Sequence, residues 1–233
     1  MSIDHTLHIV DTDLDAITAQ VNELATLSED LLARSLKAAL EGHEDLVDGI
    51  VSGDEDLDRL TAGIERASIR ILALRQPRAD DLRRPVAAMK IAMNLERCGD
   101  LAKNIAKRGR LLWRLNHEGL DLAPIKALAA KVAGSISLLK SAYAERDLPK
   151  VLAVWHGDAE IDGLYNTVST QVLAEMTATP EIVEAGMHLL FIAKNLERIG
   201  DHATNIAELI HYELVGAGPV GNRPKLDPLD DRL

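Results

Sequence analysis

Carboxylate and amide side chains recur four residues apart at four places in this sequence. Residues at that spacing share one face of an α-helix, so each run forms a stripe of oxygen atoms. Like charges four residues apart repel each other and destabilise a helix. Because the sequence repeats this unfavourable arrangement, we infer that a favourable interaction offsets the repulsion. A hard cation bound by several oxygens would do so, as would Fe, Mn or Zn. The candidate metal ligands are Asp54, Asp58, Glu96, Asp100 and Asn104 in the first half of the chain, and Asp158, Asp162, Glu197, Asp201 and Asn205 in the second.

A solvated acidic face is the alternative interpretation of these stripes. Arg97 and Arg198 follow the two glutamates directly and could neutralise them. A surface for a basic protein partner is a third interpretation, because acidic patches attract positive side chains as well as metal ions. The gap-free recurrence of the motif favours a functional surface over a solvated face, and it leaves the metal and the basic partner both open.

Glu208 and His211 form a Glu-x-x-His pair of the kind found in di-iron helix bundles. Such sites need two of these pairs, whereas the first half carries Lys107 and Arg110 at the matching positions. A ferritin-like oxidase is therefore poorly supported, although Glu208 and His211 could extend the acidic cluster of the second half. The sequence contains no nucleophile–base arrangement, phosphate-binding glycine loop or cysteine zinc cluster, and we predict neither an enzyme nor an organic cofactor.

Other residues of the repeated motif favour structural roles. Gly99 and Gly200 lie in the middle of predicted helices, which indicates close helix–helix packing. Cys98 falls on the apolar arc of its helix and is predicted to be a small core residue. His202 is predicted to be a solvated histidine. At about 100° per residue, that apolar arc lies opposite the carboxylates, so we expect the carboxylates in a groove or on a surface.

The chain repeats itself. Residues 94–106 match residues 195–207 without a gap, and residues 53–60 resemble residues 157–164 in the same order. Two linked matches indicate a duplicated unit of roughly 100 residues. We expect one unit over residues 1–117, a second over residues 118–217 and a flexible tail over residues 218–233, which is rich in Pro, Gly and Asp.

Hydrophobic periodicity predicts three helices in each unit. An all-α fold follows, with two tandem three-helix bundles related by internal duplication. Pro77 should end the second helix, and Pro85 should lie in the first turn of the third. The predicted helices run to about residue 42, then over residues 45–74 and 83–115, and in the second unit over residues 122–146, 148–177 and 180–215.

The composition is that of an acidic globular chain. Of 233 residues, 47% are hydrophobic and 3% aromatic, and the net charge is −11 at pH 7. This charge disfavours binding to nucleic acid or anionic lipid. A single cysteine excludes an internal disulfide and fits a reducing compartment. Without a signal peptide or an apolar run of roughly 18 residues, we expect a cytoplasmic protein.

The sequence resembles the PhoU family of bacterial phosphate signalling. Residues 76–83, 94–106 and 194–208 carry the resemblance, which extends in order over residues 1–217. It implies two tandem three-helix bundles and Glu/Asp-x-x-x-Asp pairs that bind divalent or multinuclear metal, with Fe, Zn, Mn and Mg as candidates. The implied pairs are Asp54 with Asp58, Glu96 with Asp100, Asp158 with Asp162, and Glu197 with Asp201, flanked by Asn104 and Asn205.

The resemblance also implies a function. Such proteins act as negative regulators of the phosphate-starvation response and phosphate uptake. The implied role is a cytoplasmic adaptor, a homodimer, between the ATPase subunit of the phosphate ABC transporter and a phosphate sensor histidine kinase, which meets the membrane only through these partners. The alternative function is a metal-dependent carboxylate-bundle enzyme or a metal-storage protein.

Overall fold

The computed structural model describes residues 3–75, 80–221 and 223, and their side chains over residues 11–74, 81–221 and 223. These residues form helices and connecting turns, without a strand, which confirms the all-α prediction. The predicted helix end at Gln76 and Pro77 lies outside the described residues. The α-helices are α1 (Ile3–Glu41), α2 (Val47–Arg75), α3 (Asp80–Leu112), α4 (Ala123–Glu145), α5 (Leu148–His156), α6 (Asp158–Ala178) and α7 (Val183–Val215), with single 3-10 turns at Glu44–Leu46 and Pro180–Ile182.

The helices form two bundles that share one apolar core. Helices α1, α2 and α3 pack together in the first repeat, and α4, α5, α6 and α7 do so in the second. The predicted stripe of α1 is buried, with Leu14, Ile17, Val21 and Leu24 each at most 3% exposed. Burying such a side chain contributes about 1.5–3 kcal/mol. The tandem-bundle prediction is confirmed, and none of the described helices has the length and apolarity to cross a bilayer.

Helices α3 and α7 form the main contact between the repeats. Asn94, at the middle of α3, bonds His202 past the middle of α7, whereas Arg108, near the end of α3, reaches His188 near the start of α7. The two helices are therefore antiparallel. In each repeat the helix that precedes this pair packs against it, α2 against α3 and α6 against α7.

The second helix of the second repeat is broken, which corrects the predicted continuous helix over residues 148–177. Gly157 has ψ −7°, and its amide donates to the carbonyls of both Ala153 and Val154. This tightened turn ends α5, and α6 begins at the next residue. Asp158 consequently lies in the first turn of α6, whereas its counterpart Asp54 lies inside the continuous helix α2.

The first turn of α3 also differs from the prediction. Helix α3 begins at Asp80, so Pro85 is its sixth residue and lies inside the helix. A proline there removes one backbone hydrogen bond, because only the first four amides of a helix lack an internal acceptor. Asp81, in the first turn, favours the earlier start through the interaction of its negative charge with the helix dipole.

Close packing explains the glycines of the third helices. A Cβ atom on Gly99 would lie 2.5 Å from Leu57 Cδ2, and one on Gly200 would lie 3.0 Å from Ile161. The packing interpretation is therefore confirmed. Cys98 is 2% exposed, as predicted for a core residue, and burial raises the pKa of its thiol to about 12. Its thiolate form is negligible near neutral pH.

We predict that Gly109→Ala destabilises the fold by about 1–3 kcal/mol, because the new methyl group would overlap the backbone of α1. A Cβ on Gly109 would lie 2.3 Å from Ala39 Cα. Gly134→Ala on α4 is the matched control, since no atom lies within 4 Å of its Cβ position. The control should be neutral or stabilised by about 0.5–1 kcal/mol. Urea unfolding measures both, and equal stability of the two variants would contradict the packing argument.

Candidate functional site

The first acidic site comprises Asp54, Asp58, Glu96, Asp100 and Asn104. Helices α2 and α3 lie side by side, and Lys103 Nζ bonds both Asp54 Oδ2 and, at 2.8 Å, Asp100 Oδ1. Burial alone would lower the pKa of Lys103, but its bonds to Asp100 and Asp54 raise that pKa above the usual value. The two helices thus bring carboxylates together, and the cation between them is the ammonium group of a lysine.

The other members of the first acidic site lie around this ion pair. Burial raises the pKa of Glu96, Arg97 opposes the rise, and the charges of Asp100, Asp58 and Asp54 add to it. Four carboxylates therefore share one local field, as the sequence pattern suggested. Asp58 is exposed.

The second acidic site comprises Asp158, Asp162, Glu197, Asp201 and Asn205. Arg223, which follows α7 in the segment predicted as a tail, inserts its guanidinium group there. Its Nε lies 2.7 Å from Asp158 Oδ2, and its Nη2 lies 3.0 Å from Asp158 Oδ1. Nη2 also donates to Asp201 Oδ1 at 2.6 Å, and Nη1 donates to Asn205 Oδ1 at 3.3 Å. One arginine thus connects α6 with two successive turns of α7.

The two sites differ at one position of the repeated motif. Lys103 in α3 corresponds to Thr204 in α7, whose hydroxyl donates to Asp158 Oδ1 at 3.0 Å and to the Gly200 carbonyl at 3.1 Å. A threonine supplies no charge. The second site therefore receives its positive charge from Arg223, outside the duplicated motif.

The two further predicted ligands of the second site are Glu197 and Asp162. Glu197 is paired at 2.7 Å with Lys194, three residues earlier on α7, and its side chain is 12% exposed. Asp162 is half-buried one turn after Asp158 on α6. The carboxylates that contact Arg223 are thus Asp158 and Asp201.

The donor chemistry of both sites suits a cation. Over residues 11–74 and 81–221, no three His, Cys, Asp or Glu side chains converge in an arrangement that could hold a metal ion. In the first site, Lys103 holds the position between the carboxylates, so this arrangement fits an ammonium group. The second site offers oxygens from Asp158, Asp201, Asn205 and Thr204, and these fit a hard cation in place of the guanidinium. The metal assignment of the ten residues stays a prediction.

Glu208 and His211 have separate roles. Trp155 Nε1 donates to Glu208 Oε1 at 3.1 Å, and Glu208 is one of the charges that raise the pKa of Arg223. Glu208 therefore adds to the negative field of the second acidic site. His211 is 8% exposed, and its Nδ1 bonds the Ala217 carbonyl at 2.7 Å, which fixes the chain just after α7.

The prediction of a solvated His202 is wrong. This residue is half-buried between α7 and α3, and its Nδ1 lies 2.9 Å from Asn94 Oδ1. Burial lowers the pKa of its imidazole, and Arg198 lowers it further. The neutral ring that results joins the two repeats through a hydrogen bond.

A groove between α3 and α7 supplies a different surface. Its cavity has a volume of about 500 Å³. The guanidinium of Arg108 lies 4.5 Å from the centroid of the Phe191 ring, which is 46% exposed. The lining residues are Asn104, Lys107, Arg108, Leu111, Phe191 and Asn195. This groove is basic and partly apolar, although the chain as a whole is acidic.

Sequence reasoning missed Lys103, Thr204 and Arg223 as members of the acidic sites. The difference between Lys103 and Thr204 is visible when the two copies of the motif are aligned, and it signals that the sites are unequal. Arg223 carries no such signal, because it lies outside the repeat and reaches the site only through the path of the chain.

Comparison with known proteins agrees with this geometry. A family model described as the PhoU domain matches residues 21–109 and again residues 125–210. A phosphate-specific transport system accessory protein PhoU homolog from Caulobacter vibrioides (strain NA1000 / CB15N) is 43% identical over 226 residues, which cover 97% of this chain and 98% of that protein. The chain belongs to the PhoU family.

Other PhoU proteins extend the similarity. The phosphate-specific transport system accessory protein PhoU of Escherichia coli (strain K12) is 28% identical over 204 residues, covering 88% of this chain and 84% of that protein. The crystal structure of PhoU from Pseudomonas aeruginosa matches with a TM-score of 0.86 at 26% identity, covering 89% of this chain and 99% of that one. The tandem bundles described above are therefore the PhoU fold.

For this PhoU family member we predict that Lys103→Met lowers the free energy of unfolding by about 1–3 kcal/mol, because it leaves the Asp54 carboxylate without its cation. Asp54 is 8% exposed. Adding Asp54→Asn to Lys103→Met should recover part of the loss. Lys126→Met, at an exposed position of α4, is the control and should have little effect. Additive effects of the Lys103 and Asp54 substitutions in urea unfolding would argue against the ion pair.

Proposed function

We propose that this chain is a regulator of the phosphate transport system. Its PhoU relatives are named as accessory proteins of the phosphate-specific transport system, and two of them match nearly their whole length. In this proposal the protein is a cytoplasmic adaptor that restrains the phosphate-starvation response when phosphate is plentiful. It links the ATPase subunit of the phosphate ABC transporter to a phosphate sensor histidine kinase.

The duplicated pair of surfaces supports an adaptor most directly. Antiparallel packing of α3 and α7 presents one acidic site in each repeat and also forms the basic groove around Arg108 and Phe191. Surfaces of opposite charge can bind different proteins, and charge complementarity sets which partner binds where. The exposed ring of Phe191 offers an apolar anchor of the kind that contributes most to protein interfaces. We also expect the homodimer implied by the family.

We predict that deleting the gene raises the starvation response in high phosphate, and that the intact gene restores repression. Substituting Arg108→Glu together with Phe191→Ala should abolish this restoration, because the change reverses the charge of the groove and removes its aromatic ring. A reporter for the starvation response measures the effect. Leu173→Ala is the matched control, since Leu173 is 60% exposed on α6, outside the groove.

An unchanged response in the deletion strain would contradict the regulatory role. Full restoration by the groove variant would leave the regulatory role intact and would contradict the assignment of the groove as the partner surface. Equal cellular amounts of the variants, measured by immunoblot, ensure that the comparison concerns binding.

We also propose that the acidic sites bind a divalent or multinuclear metal ion, with Fe, Zn, Mn and Mg as candidates, and that the second site binds it in preference. Asp158, Asp201 and Asn205 would hold the ion with oxygen atoms in place of the Arg223 guanidinium, and Thr204 stands where the first site has Lys103. In the first site, Lys103 competes for the same carboxylates. When bound, such an ion would supply positive charge between α6 and α7.

We predict that metal measured by mass spectrometry on the purified, metal-loaded protein is lost in Asp158→Asn/Asp201→Asn. The matched variant Asp54→Asn/Asp100→Asn of the first site should retain it. Glu197→Ala/Asp201→Ala tests the predicted ligand pair of α7 in the same way. A wild-type protein without stoichiometric metal after loading would contradict the metal proposal and would favour a basic protein partner for the acidic surfaces.

A further inference from the structure

The chain after α7 turns back along that helix. Helix α7 ends at Val215, and Gly216 takes the left-handed conformation with φ 84°. Asp201, which Arg223 contacts, lies fourteen residues before that end, or about 21 Å along the helix axis. The eight residues from Gly216 to Arg223 can span at most about 29 Å, which is enough to cover this distance. The described chain bends at Gly216, Ala217, Val220 and Gly221, and this path brings Arg223 back to the second acidic site.

The guanidinium of Arg223 fits this site with directed bonds. Its Nε and Nη2 bind the two oxygens of Asp158 side by side, a geometry that lysine cannot reproduce. The side chain of Arg223 is 22% exposed and that of Asp158 is 2% exposed. Burial opposes the charged form of Arg223, but its bonds and charge interactions with Asp158 and Asp201 raise the pKa of the guanidinium.

Asp158 requires a cation at this position. Among the described residues, its hydrogen-bond donors are Arg223 and the hydroxyl of Thr204. Without Arg223, the Thr204 hydroxyl would be the remaining hydrogen-bond donor to the buried Asp158 carboxylate among the described residues. An ionised carboxylate with so little compensation is unfavourable, so the departure of Arg223 leaves a site that attracts another positive group.

The two repeats meet this requirement in different ways. Lys103 belongs to α3, so its ammonium group can leave the first acidic site only by a change of side-chain rotamer. Arg223 lies on the segment beyond α7, and its departure breaks no helix. Val220, three residues before Arg223, is 97% exposed, so its side chain contributes little apolar burial to the attachment of this segment. Beyond the bond of His211 to the Ala217 carbonyl, the bonds of Arg223 attach the described part of this segment to the bundle.

We propose that the second acidic site is a binding site for an arginine side chain carried on the segment that follows α7, and that this chain fills the site with its own Arg223. The segment that carries Arg223 is releasable, whereas the backbone that carries Lys103 is held in α3. Any other positive group that enters the second site has to displace Arg223. The inference goes beyond the proposed adaptor function and does not depend on a bound metal.

A fluorophore on Val220→Cys in the full chain tests the attachment. Cys98 is 2% exposed and its thiol is protonated at neutral pH, so the dye reports on residue 220 alone. Arg223→Ala and Asp158→Asn should each lower the dye's anisotropy, because both remove the guanidinium–carboxylate bonds. Thr204→Lys should do the same, since it places the lysine of the first site in the second. Thr167→Lys, which adds the same charge at an exposed position of α6, should leave the anisotropy unchanged.

A synthetic peptide of residues 217–230 tests the site in trans. The peptide should bind the full-length Arg223→Ala protein at least about tenfold more tightly than it binds the wild-type protein. In the wild type, the tethered Arg223 competes with the peptide at high effective concentration. The same peptide with its own Arg223→Ala change should not bind. Circular dichroism verifies that each variant is folded. If the Thr204→Lys variant does not fold, the two single variants Arg223→Ala and Asp158→Asn decide the outcome. Unchanged anisotropy in Arg223→Ala and Asp158→Asn, or equal peptide binding by wild type and Arg223→Ala, would overturn the proposal.

Discussion

Close antiparallel packing of α3 against α7 is the constraint on which the rest of the structure depends. Each of these helices is the third helix of its repeat, and together they join two three-helix units into a single apolar core. Bulky residues would separate them from their neighbours, and glycine and alanine allow close approach, as at Gly99, Gly109 and Gly200. The acidic sites and the basic groove all take their positions from this central pair.

Duplication has given the protein two similar acidic sites, and divergence has made them unequal. A carboxylate that leaves water needs a hydrogen-bonded counter-charge, and both Asp54 and Asp158 face this requirement. The first repeat meets it locally with Lys103, one turn from Asp100. The second repeat has Thr204 there and meets it with Arg223 from beyond the bundle. The same physical demand thus produces a fixed cation in one repeat and a tethered one in the other.

This difference gives the PhoU fold of this chain a structural asymmetry that can serve an adaptor. One repeat contributes a stable scaffold, and the other carries a site whose occupant can change. A ligand shifts a conformational equilibrium only by its difference in affinity for the two states. Release of the segment at Arg223 supplies two such states, which differ in the charge and accessibility of the face formed by α6 and α7.

The sequence by itself determined the helical class, the duplication and the acidic stripes, because these depend on spacing within one helix. The periods of three and four that place Leu14, Ile17 and Val21 on one face also place Glu96 and Asp100 on one face. Local patterns likewise indicated the core position of Cys98 and the close packing at Gly99. The local signals were weaker at helix ends, so the break at Gly157 and the start of α3 were missed.

Only the tertiary structure decided which charges meet. The pairing of Asp54 with Lys103 depends on the register between α2 and α3, and the bond between His202 and Asn94 depends on the antiparallel packing of the repeats. The contact of Arg223 with Asp158 joins residues 65 positions apart, through a reversal of the chain at Gly216. Periodicity fixes the face of a helix on which a side chain lies, whereas the partner of that face is set by how the helices pack and where the chain turns.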